Sequence, residues 1–369
     1  MESLARDALG IESEDFTAPI PSSDDAEANE ELEGILASLK TRIKIFGIGG
    51  AGCNTISRIV EEGVTGAELY AANTDAQHLL HTKSPHKVLL GKRLTRGLGA
   101  GSLPHVGSQA AKETEEELRQ SLTESDMVFV TCGLGGGTGT GAIGAVAQVA
   151  REMGALTVAV VTMPFTGEGR IRAENAEWGL EKLRENADTV IAIPNDRLLE
   201  LVPRLALNAA FKVADEVLMR SIKGITELVT KPGMVNLDFN DIKTIMKGGG
   251  VAMIGLGESQ ATGEERAIEA IDEAINSPLL EVDVSSSTGV LVNVVGGEDM
   301  TVSEAERVAE EVQGRVSPNA RIIWGATVDP GLRHLLRVML VATGVKSKQI
   351  LGRKTAQEVK EKLGIDFVG

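Results

Sequence analysis

Between an apolar run at 127–131 and a helical pattern at 139–153 lies the stretch Gly133-Leu134-Gly135-Gly136-Gly137-Thr138-Gly139-Thr140-Gly141. Six glycines in nine residues are destabilising unless the backbone must come close to something, because glycine loses more conformational freedom on folding than any other residue. A strand that ends in such a loop and runs into a helix presents successive N–H groups at a helix N-terminus, a concave nest for an anion. The hydroxyls of Thr138 and Thr140 add donors. This segment restricts the chain to folds that set strand, glycine loop and helix in sequence.

The same construction occurs earlier. Gly47-Ile48-Gly49-Gly50-Ala51-Gly52-Cys53-Asn54 follows a strand-like run and opens a helix, and it matches G-x-G-x-x-G. Asp75 stands about where a ribose-binding acid would follow a second strand. Alone, this loop fits a dinucleotide-binding oxidoreductase, or a tight strand–helix turn with no ligand. The loop at 133–141 and a third turn, Gly97-Leu98-Gly99-Ala100-Gly101, favour a triphosphate over a pyrophosphate held by one fingerprint loop. No G-x-x-x-x-G-K-[ST] occurs, so the nucleotide site implied is not a Walker P-loop. An oxidoreductase would also need a catalytic acid–base in the second half, where only scattered histidines offer themselves.

The surrounding pattern supports an α/β fold. Strand-like runs at 43–47, 68–72, 87–90, 127–131, 156–162 and 189–193 alternate with helical stretches at 105–122, 139–153 and 172–186. Continuous apolar strands separated by helices indicate a parallel, Rossmann-like sheet covered on both faces. Ligands bind such sheets at the carboxyl ends of the strands, where these glycine loops fall. A long helix is expected at 204–230, with Leu207, Phe211, Ala214, Leu218, Ile222, Ile225 and Val229 in one apolar stripe. After Lys231-Pro232-Gly233 a smaller α+β unit follows, with strands at 251–255, 289–295, 322–328 and 336–342 and a helix at 302–313 opened by a Thr301/Glu304 capping box. The expected division is an acidic mobile extension at 1–40, a nucleotide domain at 41–203, a central helix at 204–230, a second domain at 231–345 and a short tail at 346–369.

Composition narrows the function further. With 53 acidic and 37 basic residues the formal charge is −16, which argues against non-specific nucleic-acid binding but leaves a single nucleotide open, since backbone amides hold phosphates without a basic patch. Residues 1–40 hold eleven acidic side chains against Arg6 and Lys40. Cys53 and Cys132 have no metal-ligand or disulfide spacing and read as reduced cytosolic thiols. His78, His81 and His86 lack a companion ligand set, so no metal site is expected. No secretory signal and no apolar stretch of roughly 20 residues is present, so membrane association would run through a partner.

The segment 135–141, Gly-Gly-Gly-Thr-Gly-Thr-Gly, resembles the tubulin signature as it occurs in the FtsZ family of prokaryotic cell-division GTPases. The resemblance covers roughly 41–345. It takes in Gly47 to Asn54, Asn73-Thr74-Asp75, Pro164-Phe165 with Glu168 and Arg172, Ile193-Pro194-Asn195-Asp196, and Asn236 to Asp241. The acidic extension and short tail depart from the bacterial pattern of a long linker and end peptide, and are closer to the archaeal members.

The resemblance implies a GTP/GDP site, with Mg²⁺ held mainly by the phosphates. Gly49, Gly50, Ala51, Gly52, Cys53 and Asn54 would cradle the phosphates together with Gly135, Gly136, Gly137, Thr138, Gly139, Thr140 and Gly141. Asn73 and Asp75 would also bind the nucleotide, and the turn with Gly99, Ala100 and Gly101 would close over a terminal phosphate. Glu168 and Arg172 would hold the ribose region, though alone they read as a surface i,i+4 ion pair. Asn195 and Asp215 would read guanine and Phe211 would stack on it, although Phe211 also reads as helix core. Asp238 and Asp241 would act on the GTP of a neighbouring subunit, but alone they read as the N-cap and first-turn acid of a helix. The implied protein polymerises head to tail in the cytoplasm at the mid-cell division site. It inserts in no membrane, binds no nucleic acid, and meets a membrane-tethering adaptor through the tail at 364–368. A related filament role in cell shape fits the same residues.

Overall fold

The computed structural model describes residues 41–345 except 202–206, Pro232, Asn236, Glu281 and Asp283. The expected extension at 1–40 and tail at 346–369 lie outside the described residues.

The first half reads β1 (Ile43–Ile48), α1 (Gly49–Glu61), β2 (Ala67–Asn73), α2 (Ala76–His81), β3 (His86–Leu89), α3 (Pro104–Glu113), α4 (Glu115–Leu122), β4 (Met127–Gly133), α5 (Thr138–Glu152), β5 (Leu156–Met163), α6 (Arg170–Asn186), β6 (Thr189–Pro194) and α7 (Asn195–Leu201). The long helix α8 (Leu207–Thr230) leads to α9 (Phe239–Met246), β7 (Gly250–Ser259), α10 (Glu264–Ile275), β8 (Gly289–Gly296), α11 (Val302–Arg315), β9 (Arg321–Val328) and β10 (Leu336–Thr343). The helix expected at 105–122 is two helices that meet at Thr114, whose side chain accepts from Gly91 N–H and donates to Ala110 O.

All ten strands form one sheet, in the order β3-β2-β1-β4-β5-β6-β7-β10-β8-β9. β1 to β6 run parallel. Strands β2 and β3 lie on one side of β1 and β4 to β6 on the other, so the order reverses between β1 and β4. In an open parallel sheet that reversal leaves a crevice at the carboxyl ends of the two strands, and both long glycine loops emerge there. The sheet of the second half continues the first through three parallel pairs, Thr189↔Gly250, Val190↔Val251 and Ile191↔Ala252. So short a ladder leaves no periodic mark in the sequence.

Strand alternation divides the core. Ile43, Ile45, Met127, Phe129, Val158 and Val160 face one side, with α1, α8 and α9. Phe46, Ile48, Val128, Val130, Ala159 and Val161 face the other, with α3 to α6, α10 and α11. The stripe of α8 is buried at Ala214, Leu218, Ile222 and Ile225. Phe211 departs from it, being 37% exposed at the mouth of the crevice.

One buried ion pair ties α10 to α11. Arg266 donates through Nε and Nη2 to Glu304 at 2.9 Å each and through Nη1 to Asp299 at 2.6 Å. Glu304 also accepts from Thr301 N–H at 2.8 Å, so it completes the expected capping box. Glu304→Ala leaves Arg266 paired only with the half-exposed Asp299 and removes the capping box, so it is expected to lower unfolding stability by about 1–3 kcal/mol, measured by urea denaturation.

Candidate functional site

The crevice beside β1 and β4 is a cleft floored by Ile48, Gly50, Ala51, Gly133, Leu134 and Gly136 to Gly139, and walled by Thr162, Pro164, Glu168, Arg172, Asn195, Phe211, Ala214 and Asp215. Two helices start against it. Neither α1 nor α5 has a side-chain cap at its N-terminus, whereas α2, α9 and α11 are capped by Asp75, Asp238 and Thr301. The first N–H groups of a helix need partners from outside it. Here they converge on one space, and the positive ends of both helix dipoles favour an anion in it.

The glycines separate by what a side chain at each would meet. A Cβ at Gly50 or Gly136 would touch no protein atom within 4 Å, so the space beside them is open to a ligand. Gly49, at φ +72°, lets the first loop approach the second, because a Cβ there would lie 2.8 Å from Gly139 N. Gly52, Gly137 and Gly141 admit neighbouring backbone instead. A Cβ at each would lie 2.5 Å from Thr131 O, 2.7 Å from Leu103 N and 2.0 Å from Pro104 O, respectively. Gly135 turns the loop at φ +105° against the Arg172 backbone.

At the far wall, Asn195 is 4% exposed and its Oδ1 has no hydrogen-bond partner among the described residues. A buried amide oxygen left unpaired costs about 1–3 kcal/mol, and this one lies in the wall of the cleft, open to a donor that enters it. Asp215 stands in the same wall, and burial pushes its carboxyl up to about 6 against the lowering effect of Arg58. Phe211 meets Phe165 edge-on at 5.2 Å between centroids, leaving a face at the cleft. Glu168 binds Arg172 at 2.6 Å and accepts from Phe165 N–H at 2.9 Å. The pair is therefore the i,i+4 ion pair of the simpler reading and also part of the cleft wall.

Other expected residues stand behind this surface. Cys53 is fully buried, its Sγ directed at Gly47 O and Ala72 O, and burial pushes its thiol up to about 11. The Thr140 hydroxyl accepts from Gly135 N–H at 2.9 Å, so it braces the loop. Asn54 is exposed on α1 outside the lining. Asn73 accepts from Asp75 N–H, and Asp75 accepts from His78 N–H, so both organise the end of β2. Gly99 N–H donates to Thr74 O, and Ala100 packs against Gly137. The turn with Gly101 thus backs the second loop. Thr162, Leu134 and Ala214 line the cleft without having been singled out. The rule that ligands sit at strand carboxyl ends would have found Thr162, near the end of β5.

Asp238 and Asp241 lie elsewhere. Asp238 caps α9, its Oδ1 accepting from Asn240 N–H at 3.2 Å, and Asp241 is in the first turn. The C-terminal end of α9 sits at the amino end of β6, where the hydroxyl of Thr189 donates to Met246 O. Asp126, which precedes β4, is held below its usual range chiefly by its hydrogen bond with Arg42 and also by Lys243 of α9. Asn195 follows the other end of β6, about 16 Å away at roughly 3.3 Å per residue. The cleft therefore lies at the carboxyl ends of the parallel strands, the C-terminal half of α9 at the amino end of β6, and neither Asp238 nor Asp241 lines the cleft.

An uncapped pair of helix ends at a sheet switch point, with an unpaired amide in the wall, defines a nucleotide-binding α/β protein. Residues 42–203 match the tubulin/FtsZ family GTPase domain and residues 250–346 the FtsZ family C-terminal domain. The chain is 58% identical over 368 residues to cell division protein FtsZ 1 of Archaeoglobus fulgidus, covering 100% of this chain and 99% of that one. It is 54% identical over 351 residues to the Pyrococcus furiosus protein of the same name, covering 95% and 94%. A solved FtsZ dimer from M. jannaschii superposes with a TM-score of 0.83 at 53% identity, over 86% of this chain and 92% of that one. The GTPγS-bound CetZ2 protofilament of Haloferax volcanii shares the fold, with a TM-score of 0.74 at 19% identity. The chain belongs to the tubulin/FtsZ family. It is a GTPase of the FtsZ cell-division type.

Proposed function

We propose that this GTPase cleaves GTP to GDP and phosphate only where two subunits meet head to tail, and that the resulting filaments form the division ring at mid-cell. The observation that carries the reading is that Asp238 and Asp241 line no part of the cleft, while the helix they open ends at the amino end of β6. One subunit's Asp238 and Asp241 line no part of its own cleft and would instead meet a neighbour's. A contact between two different faces propagates as a filament when its rotation does not close. In that contact the carboxylates would orient and polarise the attacking water. Light scattering and phosphate release, followed together across protein concentrations, should rise at one shared threshold. Full specific activity from dilute monomer would end the proposal.

Within the cleft, Gly50, Ala51 and Gly136 to Gly139 would hold the phosphates, Glu168 and Arg172 the ribose, and Asn195 and Asp215 the guanine. A carboxylate accepts from both N1–H and the exocyclic amine of guanine, an edge adenine does not offer. Phe211 would stack on the base, a contact worth about 1–3 kcal/mol. Mg²⁺ would sit on phosphate oxygens and water, neutralising charge on the leaving phosphate.

Asp215 gives this reading a pH signature. Guanine needs it ionised, so binding lowers its pKa from the value near 6 of the free cleft and releases a proton. GTP affinity should be flat above that pH and fall by up to about tenfold per unit below it. Titration of GTP binding between pH 7.5 and 5 checks this, and Asp215→Asn should abolish the dependence while weakening binding and its preference over ATP. In the tail, Ile365, Phe367 and Val368 would meet a membrane-tethering adaptor. Undiminished adaptor binding after deletion of 360–369 would remove that role.

A further inference from the structure

Arg58 stands outside the cleft lining but on the same helix as its floor. It follows Gly50 by two turns of α1, about 12 Å along the axis. Ile56 and Ile59 of α1 share a core cluster with Ala214 and Leu218 of α8, so the two helices lie against each other. The Arg58 side chain reaches across, and its Nη1 donates to Glu216 Oε2 at 3.0 Å. Glu216 is the next residue after Asp215. Both partners of this ion pair keep about a third of their side chains in solvent, 30% and 31%.

Glu216 is shared. Its Oε1 accepts from Arg220 Nε at 2.8 Å, Arg220 Nη1 donates to Glu258 at 2.6 Å, and Glu258 also accepts from Arg337 Nε at 2.8 Å. The bonded chain holds three guanidiniums (Arg58, Arg220 and Arg337) and two carboxylates (Glu216 and Glu258). One positive charge is left without a counterpart in it. Asp215 supplies the missing carboxylate, and Arg58 is the charge that works against burial there. The other charged groups around the cleft are engaged or in solvent. Glu168 is bonded to Arg172, Asp196 accepts from Thr166, and Arg197 is bonded to Glu200. Lys212, three residues before Asp215 on α8, is exposed, and Lys223 faces Glu62 at 3.8 Å.

We propose that Arg58 is a positioning residue for base selection: without touching the nucleotide, it supplies the positive charge against which Asp215 presents its carboxylate to guanine, and Glu216 takes up part of that charge. The role rests on the guanine reading of Asp215 given above. It makes one helix serve both halves of the nucleotide, with phosphate at the first turn of α1 and base selection through its last. The two neighbours of Asp215 act with opposite sign. Removing the charge of Arg58 leaves less of Asp215 ionised at a given pH, and removing the charge of Glu216 leaves more.

Titration of the full-length protein with GDP and with ADP between pH 5 and 8 tests this. The ratio of the two affinities is the quantity to follow, because both nucleotides carry the same diphosphate and its own titration cancels. In the parent, preference for GDP should decline below a midpoint near 6. Arg58→Gln should move that midpoint up by about one unit, which lowers the preference about fivefold at pH 6 and hardly at all at pH 8. Arg58→Lys keeps the charge and should restore the parent midpoint, whereas Glu216→Gln should move it down. A simple tie between α1 and α8 is cut equally by either neutral variant. Midpoints that shift in the same direction in Arg58→Gln and Glu216→Gln, or in neither, would therefore overturn the inference, while loss of the pH dependence in Asp215→Asn would leave the guanine reading standing. A pH dependence that persisted in Asp215→Asn would remove the guanine reading itself, and the role of Arg58 with it.

Discussion

Asp241→Ala is expected to leave GTP affinity within about twofold of the parent and to lower turnover at least about 100-fold, the loss typical when a water-activating group is removed. Affinity survives because Asp241 lines no part of the cleft. Folding survives because Asp238, not Asp241, caps α9. Asp238 needs a different substitution. Asp238→Ala removes the cap as well, costing about 1 kcal/mol of stability, whereas Asp238→Asn retains a capping side chain and isolates the chemistry. The decisive measurement mixes two variants. Asp241→Ala binds GTP without acting on its neighbour's, and Asp215→Ala binds GTP poorly but retains its acids. If the site is shared, the mixture recovers phosphate release that neither has alone. Single-turnover hydrolysis by Asp241→Ala at the parent rate would exclude this residue from the mechanism.

The second large effect separates glycines that face ligand from glycines that face protein. At Gly50 a methyl group enters open space in the first turn of α1, where alanine improves helix propensity by about 1 kcal/mol. Gly50→Ala is therefore expected to unfold no more readily than the parent. GTP affinity should fall on the order of 100-fold, about 2.7 kcal/mol, because the methyl takes the place of a phosphate oxygen. Gly141→Ala should behave in the opposite way. Its Cβ would lie 2.0 Å from Pro104 O, forcing α5 and the start of α3 apart at a cost of about 1–3 kcal/mol. Any loss of affinity there follows the loss of stability. Thermal unfolding and nucleotide titration of both variants distinguish the cases, and a Gly50→Ala protein with parental affinity would move the phosphate site elsewhere.

These glycines also mark where sequence reasoning stops. That the 133–141 loop needs small residues follows from its composition, and so does its place between strand and helix. Which of its glycines meet ligand does not, because Gly141 answers to Pro104 and Gly137 to Leu103, partners more than 30 residues away. Strands were legible because alternation is local, and the six parallel strands start and finish within two residues of expectation. Helix α10 went unread. Its buried stripe is built from Ala267, Ala270 and Ala274 around Ile271, and alanine gives little hydrophobic contrast. The spacing of Phe211 puts it in the apolar stripe of α8, but its ring is 37% exposed and lines the cleft. Cys53 and Thr140 belong to the right loops, yet their side chains point into protein, a direction that a motif does not encode.

If the acids of one subunit act on the cleft of the next, as proposed, any row of subunits is chemically unequal at its two tips. At one tip the last cleft has no neighbour's carboxylates over it, so its triphosphate outlasts those within the row. At the other tip the acids have nothing to attack. A row assembled this way carries its own record of age, with fresh nucleotide at one end and spent nucleotide behind it.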